Sequence, residues 1–247
     1  PGPRRHGHAR GHLPRLLRGL GVDWLNALVQ GTLLGGLYAL FAAGLSLIFG
    51  VMRLVNIAHG DLIVLAAYLA LTVSAALGLH PLLALLAVVP AMAGGLTVGL
   101  LPLLMFATAV AVIAALQWVF YRTALGRAFR ATSDRPDVAQ LMGLDRAHVF
   151  ALAMALSLAV TGIAGVFLGI RTSFDPSIGP SRLLFGFEAV IIGGLGSLWG
   201  TLAGGVILGV AQALGGQVNP AFQVLAGHLV FLLVLAVRPR GLFPRME

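Results

Sequence analysis

The chain contains no cysteine and no lysine. Without cysteine it has no disulfide framework, no thiolate metal site and no cysteine nucleophile. Charge of either sign is scarce: 10% of the 247 residues are charged, against about 25% in an ordinary soluble domain. Apolar residues fill the space, at 59% of the chain and a mean hydropathy of +0.97. Trp24 to Met52 holds no charged side chain, and Leu62 to Tyr121 holds none unless His80 is protonated. A spanning helix takes about 20 mainly apolar residues. The first run therefore accommodates one span. The second accommodates about three, expected at Leu62–Leu77, from Pro81 to near Gly99 with a kink at Pro90, and at Pro102–Phe120. Ala147–Ile170 accommodates another and Ala189–Val237 two or three. These runs are too long for barrel strands, which take about 9–11 alternating residues. The expected fold is all-α, a polytopic integral membrane helical bundle with broken or re-entrant helices and roughly 6–8 spans.

The net charge of +8 comes entirely from arginine among the basic residues. Arg4, Arg5, Arg10, Arg15 and Arg18 lie in a tail over 1–22. Arg122, Arg127, Arg130, Arg135 and Arg146 surround a central polar loop, and Arg238, Arg240 and Arg245 follow the last apolar run. Basic clusters just beyond apolar spans follow the positive-inside rule. This places tail, central loop and C-terminal segment together on the cytoplasmic side, and makes nucleic acid a poor partner. The tail reads as disordered and basic, with His6, His8 and His12 part of that composition. It lacks the apolar core of a signal peptide. Residues 23–245 form the transmembrane domain.

Two breaks interrupt the apolar runs. The first, FGVMRLVNIAHGD over Phe49–Asp61, carries Arg53, Asn56, His59, Gly60 and Asp61. A charge at the bilayer centre costs about 2.5–3.5 kcal/mol. The stretch is therefore a loop at the surface or a polar break that lines a cavity. His59 and Asp61 can instead cap the following span, since Asp is favourable at a helix start. The second break is Gly193, Gly194, Gly196 and Ser197, shortly after Glu188, which has the same ambiguity. Four such residues either break a helix where it lines a cavity or form a packing seam extended by Gly200, Gly204 and Gly205. Each half thus reads as span, break, span.

The central loop, YRTALGRAFRATSDRPDVAQLMGLDRAH, contains a short helix. Ser133 or Asp134 is its expected N-cap and Pro136 suits its first turn. Asp137 complements the helix dipole, and Gly143 supplies a left-handed stop. Val138, Leu141 and Met142 make a small apolar face. That face suits either a partner protein or lipid headgroups.

The block GLYALFAAGLSLIFGVMRLVNIAHGDLIVLAAYLA resembles the signature of bacterial branched-chain amino-acid ABC transporter permeases of the Liv type. GRAFRATSDRPDVAQLMGLD looks like that family's cytoplasmic loop. FEAVIIGGLGSLWGTLAGGVILG and RPRGLFPR look like its C-terminal part. The resemblance runs from about Leu25 to Arg245 with the blocks in order. It implies a pore subunit of the bacterial inner membrane that pairs with a second permease. Two ATP-binding subunits would use ATP and Mg, and a periplasmic binding protein would deliver the substrate. It implies no cofactor and no catalytic residue in this chain, and the sequence has no GxxxxGK[ST] phosphate loop. It carries the ATPase contact over to 122–147, at Gly126, Arg127, Asp137, Val138, Leu141, Met142 and Gly143. The translocation path or helix breaks fall on Asn56, His59, Gly60, Asp61, Glu188, Gly193, Gly194 and Gly196. One departure stands out: family members carry more chain where this one passes straight from TVGLL to PLLMF. A urea or short-chain amide permease of the same superfamily fits the same blocks. A passive channel or ion-coupled carrier fits the spans but gives the central loop no purpose. No HExxH or GxSxG motif supports an intramembrane enzyme.

Overall fold

The computed structural model describes residues 13–53, 58–64, 100–173 and 175–243. Asn56, most of the spans expected over 62–99, the histidines of the tail and Arg245 lie outside the described residues. The described helices are α1 (Leu13–Met52), α2 (Leu100–Arg122), α3 (Ala124–Asp134), α4 (Pro136–Leu141), α5 (Arg146–Arg171), α6 (Gly179–Gly193), α7 (Leu198–Val218) and α8 (Phe222–Val237). Among the described residues four stretches are long and apolar enough to cross a membrane: Asp23–Met52, Leu101–Arg122, Arg146–Arg171 and Leu198–Val218. The chain is an all-α, multi-pass membrane protein. Its first helix starts at Leu13 and so reaches into the stretch expected to be an unstructured tail.

Helix α1 is the axis of the bundle. Its side chains from Leu37 to Ile48 are almost wholly shielded by α2, α5, α6 and α7, with Ala39 to Ala43 inaccessible. Lipid supplies no hydrophobic drive for helices to associate, so close packing must hold them. The α1–α7 crossing meets that need with two pairs of glycines four residues apart. A Cβ built on Gly35 would lie 2.5 Å from Val206 Cα, and one on Gly31 would lie 2.7 Å from Val210 Cα. From the other side, a Cβ on Gly205 would lie 2.6 Å from Gly35 O. Gly204 presses on Ala189 of α6 in the same way. The seam reading therefore holds for Gly200, Gly204 and Gly205.

The two ends of α1 fix which segments share a side. At its C-terminal end, the Ser133 hydroxyl of α3 donates to Gly50 O at 3.0 Å. At its other end, Gln217 Nε2, near the end of α7, donates to Asp23 O at 3.5 Å. The central loop and the start of α1 are thus at opposite ends of one spanning helix. This corrects the same-side placement of tail and loop.

Candidate functional site

The first break turns back into the bundle. Arg53 ends α1 in the left-handed conformation, with φ 53°. Six positions later, His59 Nε2 donates to Phe41 O at 3.0 Å. Phe41 lies twelve residues back along α1, about 18 Å at 1.5 Å per residue. His59 is 1% exposed and its Nδ1 has no partner. It fits only because residue 44 is glycine, where a Cβ would lie 2.8 Å from His59 Cε1 and 3.1 Å from Thr161 Oγ1. Ser157 of α5 donates to Gly44 O at 2.9 Å beside it. His59 therefore lies inside the bundle and not at its surface. Residues 59–64 are helical, and Asp61 sits within the first turn, where a carboxylate complements the dipole. Gly60 and Asp61 abut Gly179 at the start of α6. His59 bonds across to α1 and does not pair with Asp61 as a cap.

The second break is a true interruption. Helix α6 stops at Gly193 and α7 starts at Leu198. Gly194 and Gly196 take φ values of 106° and 81°, a region that favours glycine. A break inside an apolar layer leaves carbonyl groups that need donors. Residues fifty positions later provide them: Leu242 N–H donates to Ile192 O and Phe243 N–H to Gly193 O, both at 2.9 Å. Gly241 (φ 81°) permits this, since a Cβ there would lie 2.5 Å from the backbone of Gly194. At the far side of the break, the Ser197 hydroxyl accepts Gly200 N–H and caps α7. Gly193 has a second duty, packing against the Gly200 backbone.

Glu188 lies one turn before that break. It is 1% exposed, and His228 Nδ1 of α8 donates to its Oε1. Nearby, the Tyr38 hydroxyl donates to Gln212 Oε1 at 2.5 Å. The Phe185 ring links the two pairs, 5.3 Å from Tyr38 and 6.3 Å from His228 between centroids. Glu188 Oε2 and Gln212 Nε2 are buried without a partner among the described residues. An ionisable residue inside a span is costly and marks a functional site by default. Sequence reasoning named Glu188. It missed His228 and Gln212, although each is a polar residue in an apolar run, which is the signal that finds such sites.

The central loop is built from α3 and α4. Thr123 caps α3, accepting Gly126 N–H at 3.2 Å. Arg130 donates to Phe120 O at the end of α2, while Ser133 holds Gly50 O at the end of α1. So α3 caps two spanning helices at once. Ser133 and Asp134 close α3 and do not cap α4, whose N-cap is Arg135 without a side-chain bond. Pro136 opens α4 and Gly143 ends it with φ 84°, as the sequence indicates. Arg127, Asp137, Val138, Leu141, Met142 and Gly143 are all exposed, Leu141 by 87% and Met142 by 80%. Gly126 is not available as a contact. It is buried where any Cβ would strike the carbonyls of Val119 and Phe120.

The model of the family described as branched-chain amino acid transport system / permease component matches residues 27–107 and 101–237. This chain belongs to that family. The permease is 25% identical to the high-affinity branched-chain amino acid transport system permease protein BraD of Pseudomonas aeruginosa, covering 91% of this chain and 97% of the relative. It is 27% identical to the corresponding protein LivH of Escherichia coli K12, over 91% of this chain and 96% of the relative. It is 29% identical to LivM of Salmonella typhimurium over half of this chain and 29% of that protein. No solved structure matches the chain. In the BraD and LivH alignments, 91% of this permease is spread over 297 positions. Roughly seventy positions of each relative therefore have no counterpart here. The two stretches matched by the family model meet at 101–107, where Pro102 follows Leu101 without a polar turn.

Proposed function

We propose that this chain is a membrane-spanning permease subunit of an ATP-driven importer for branched-chain or other hydrophobic amino acids in the bacterial inner membrane. The observation that carries the reading is the coupling face. An apolar, exposed helix, α4, is tied through α3 to the ends of α1 and α2. A passive channel has no use for such a face. In this reading two ATP-binding subunits dock on Val138, Leu141 and Met142, with Arg127, Asp137 and Gly143 around them. They use ATP and Mg, and this chain binds no cofactor. A second permease completes the pore, and a periplasmic binding protein delivers the solute. The relatives named LivH and LivM support pairing of two such chains.

The ends of α1 and α2 move with α3, because the Arg130 and Ser133 bonds end on their carbonyls. A switch of this kind needs contacts that differ between its two states. His59, Gly60, Asp61, Glu188, Gly193, Gly194 and Gly196 form the path or its hinges, with Asn56 in the same polar break. The test is Met142→Glu and Leu141→Asp in the full transporter. Both side chains are solvent-facing, so the chain keeps its fold. Co-purification with the ATP-binding subunits and ATP-dependent uptake both fall at least ten-fold. Unchanged assembly and uptake in both variants would overturn the coupling role.

A further inference from the structure

A cavity of about 480 Å³ opens between the end of α1, the end of α2, the coupling helix α3 and the start of α7. Functional pockets fall at about 300–1,000 Å³. Its polar lining comes from Ser46, Gln117, Arg130 and Ser197, and its apolar walls include Leu198 and Trp199. Among the described residues no acidic side chain lines it. Three features point to an anion. The first turn of α7 faces it, and the N–H groups of Leu198 and Trp199 have no acceptor within that helix. A helix start of this length carries partial positive charge. Arg130 spends one donor on Phe120 O and stacks over Tyr121 at 5.2 Å, which leaves other guanidinium N–H groups for a ligand. Independently, Ser46 is 1% exposed and its hydroxyl has no partner among the described residues, although it lines this cavity. A buried hydroxyl without a partner costs about 1–3 kcal/mol. A ligand oxygen would remove that cost.

We propose that this cavity is a carboxylate-binding site on the coupling side of the membrane. It receives the carboxylate of the transported amino acid on Arg130, Ser46 and the start of α7, with the apolar side chain against Leu198 and Trp199 and Gln117 on the wall beside it. The assignment of the ligand rests on the importer reading above. Its position gives it a further consequence. Arg130 belongs to α3, and Gly50, a neighbour of the Gly196 backbone, is held by Ser133 of the same helix. Solute in the cavity therefore touches both the glycine break and the segment that carries the coupling face.

The absence of cysteine gives a direct assay. Gln117→Cys is introduced into the assembled transporter in nanodiscs, and its rate of reaction with a water-soluble maleimide is read by mass shift of this chain. L-leucine slows the reaction at least three-fold, and leucinamide, which lacks the carboxylate, does not. Adding Arg130→Gln or, separately, the small change Ser46→Ala to the Gln117→Cys chain weakens the protection by leucine at least three-fold. Equal protection by leucinamide overturns the carboxylate assignment. Slow labelling that depends on anionic lipid and ignores leucine assigns the site to a lipid phosphate and overturns the proposal. Leucine transport without protection overturns the site alone. Protection without leucine transport supports the site and overturns the importer reading.

Discussion

Replacing Gly35 with alanine drives a methyl group into the backbone of α7. The new Cβ would lie 2.5 Å from Val206 Cα, 2.6 Å from Gly205 O and 2.8 Å from Val206 N. Carbon atoms in good contact sit about 3.5–4.0 Å apart. Helices α1 and α7 must therefore separate by about 1 Å or more at this crossing. No struck atom belongs to a side chain that can rotate away. Overpacking of this kind costs about 1–3 kcal/mol, offset by about 0.8–1 kcal/mol because alanine is the better helix former. The net loss is about 0–2 kcal/mol, a factor of up to about 30 in the unfolding constant. Gly162 of α5 supplies the control, because among the described residues a Cβ there meets nothing within 4 Å. Gly162→Ala should be neutral or gain up to about 1 kcal/mol. Unfolding of both variants by SDS in mixed micelles measures the difference. If Gly35→Ala is as stable as Gly162→Ala, the glycine seam does not hold α1 against α7.

His228→Leu strands the buried Glu188 carboxyl and should cost about 2–3 kcal/mol; Glu188→Leu in the same chain should recover part of that. A double-mutant cycle by the same unfolding assay gives a coupling energy of at least about 1 kcal/mol, and a value near zero refutes the pairing. Gly143 and Gly241 have nearly the same backbone angle, φ 84° and 81°, but only Gly241 is crowded, against Gly194. Gly143→Ala should cost about 1–2 kcal/mol from backbone strain alone, and Gly241→Ala clearly more. Thermal stability of the two variants ranks them, and an equal loss would show that the segment after α8 does not brace the break.

Much of this architecture was legible because membranes impose simple rules. Run length placed spans at 24–52, 102–120 and 147–170, within two residues of those at 23–52, 101–122 and 146–171. Local turn chemistry gave Pro136 at the start of α4 and Gly143 at its end. The glycines split between both readings. Gly194 and Gly196 break the helix, while Gly200, Gly204 and Gly205 pack it, and only backbone angles tell these apart. What stayed hidden was pairing between distant residues. Tyr38 and Gln212 are 174 positions apart, and Glu188 and His228 are 40 apart. No local pattern encodes either pair. Ser133 was misread for a related reason: its partner is Gly50, in another helix, and not the turn that follows it. The same-side placement of tail and loop failed because charge counting does not register that α1 runs from one to the other.

The carbonyls of Ile192 and Gly193 are answered by residues 242 and 243, and α7 and α8 are made in between. During synthesis, α6 therefore enters the membrane with its end unfinished. Two full helices must be inserted and returned to the same side before the donors arrive. In that interval the break is open, wet and free to move, and it sets only when the chain doubles back. A truncation or a stall before Leu242 would leave an inserted but unlatched hinge. A quality-control protease would find its substrate there, at a point that looks like the middle of a finished bundle.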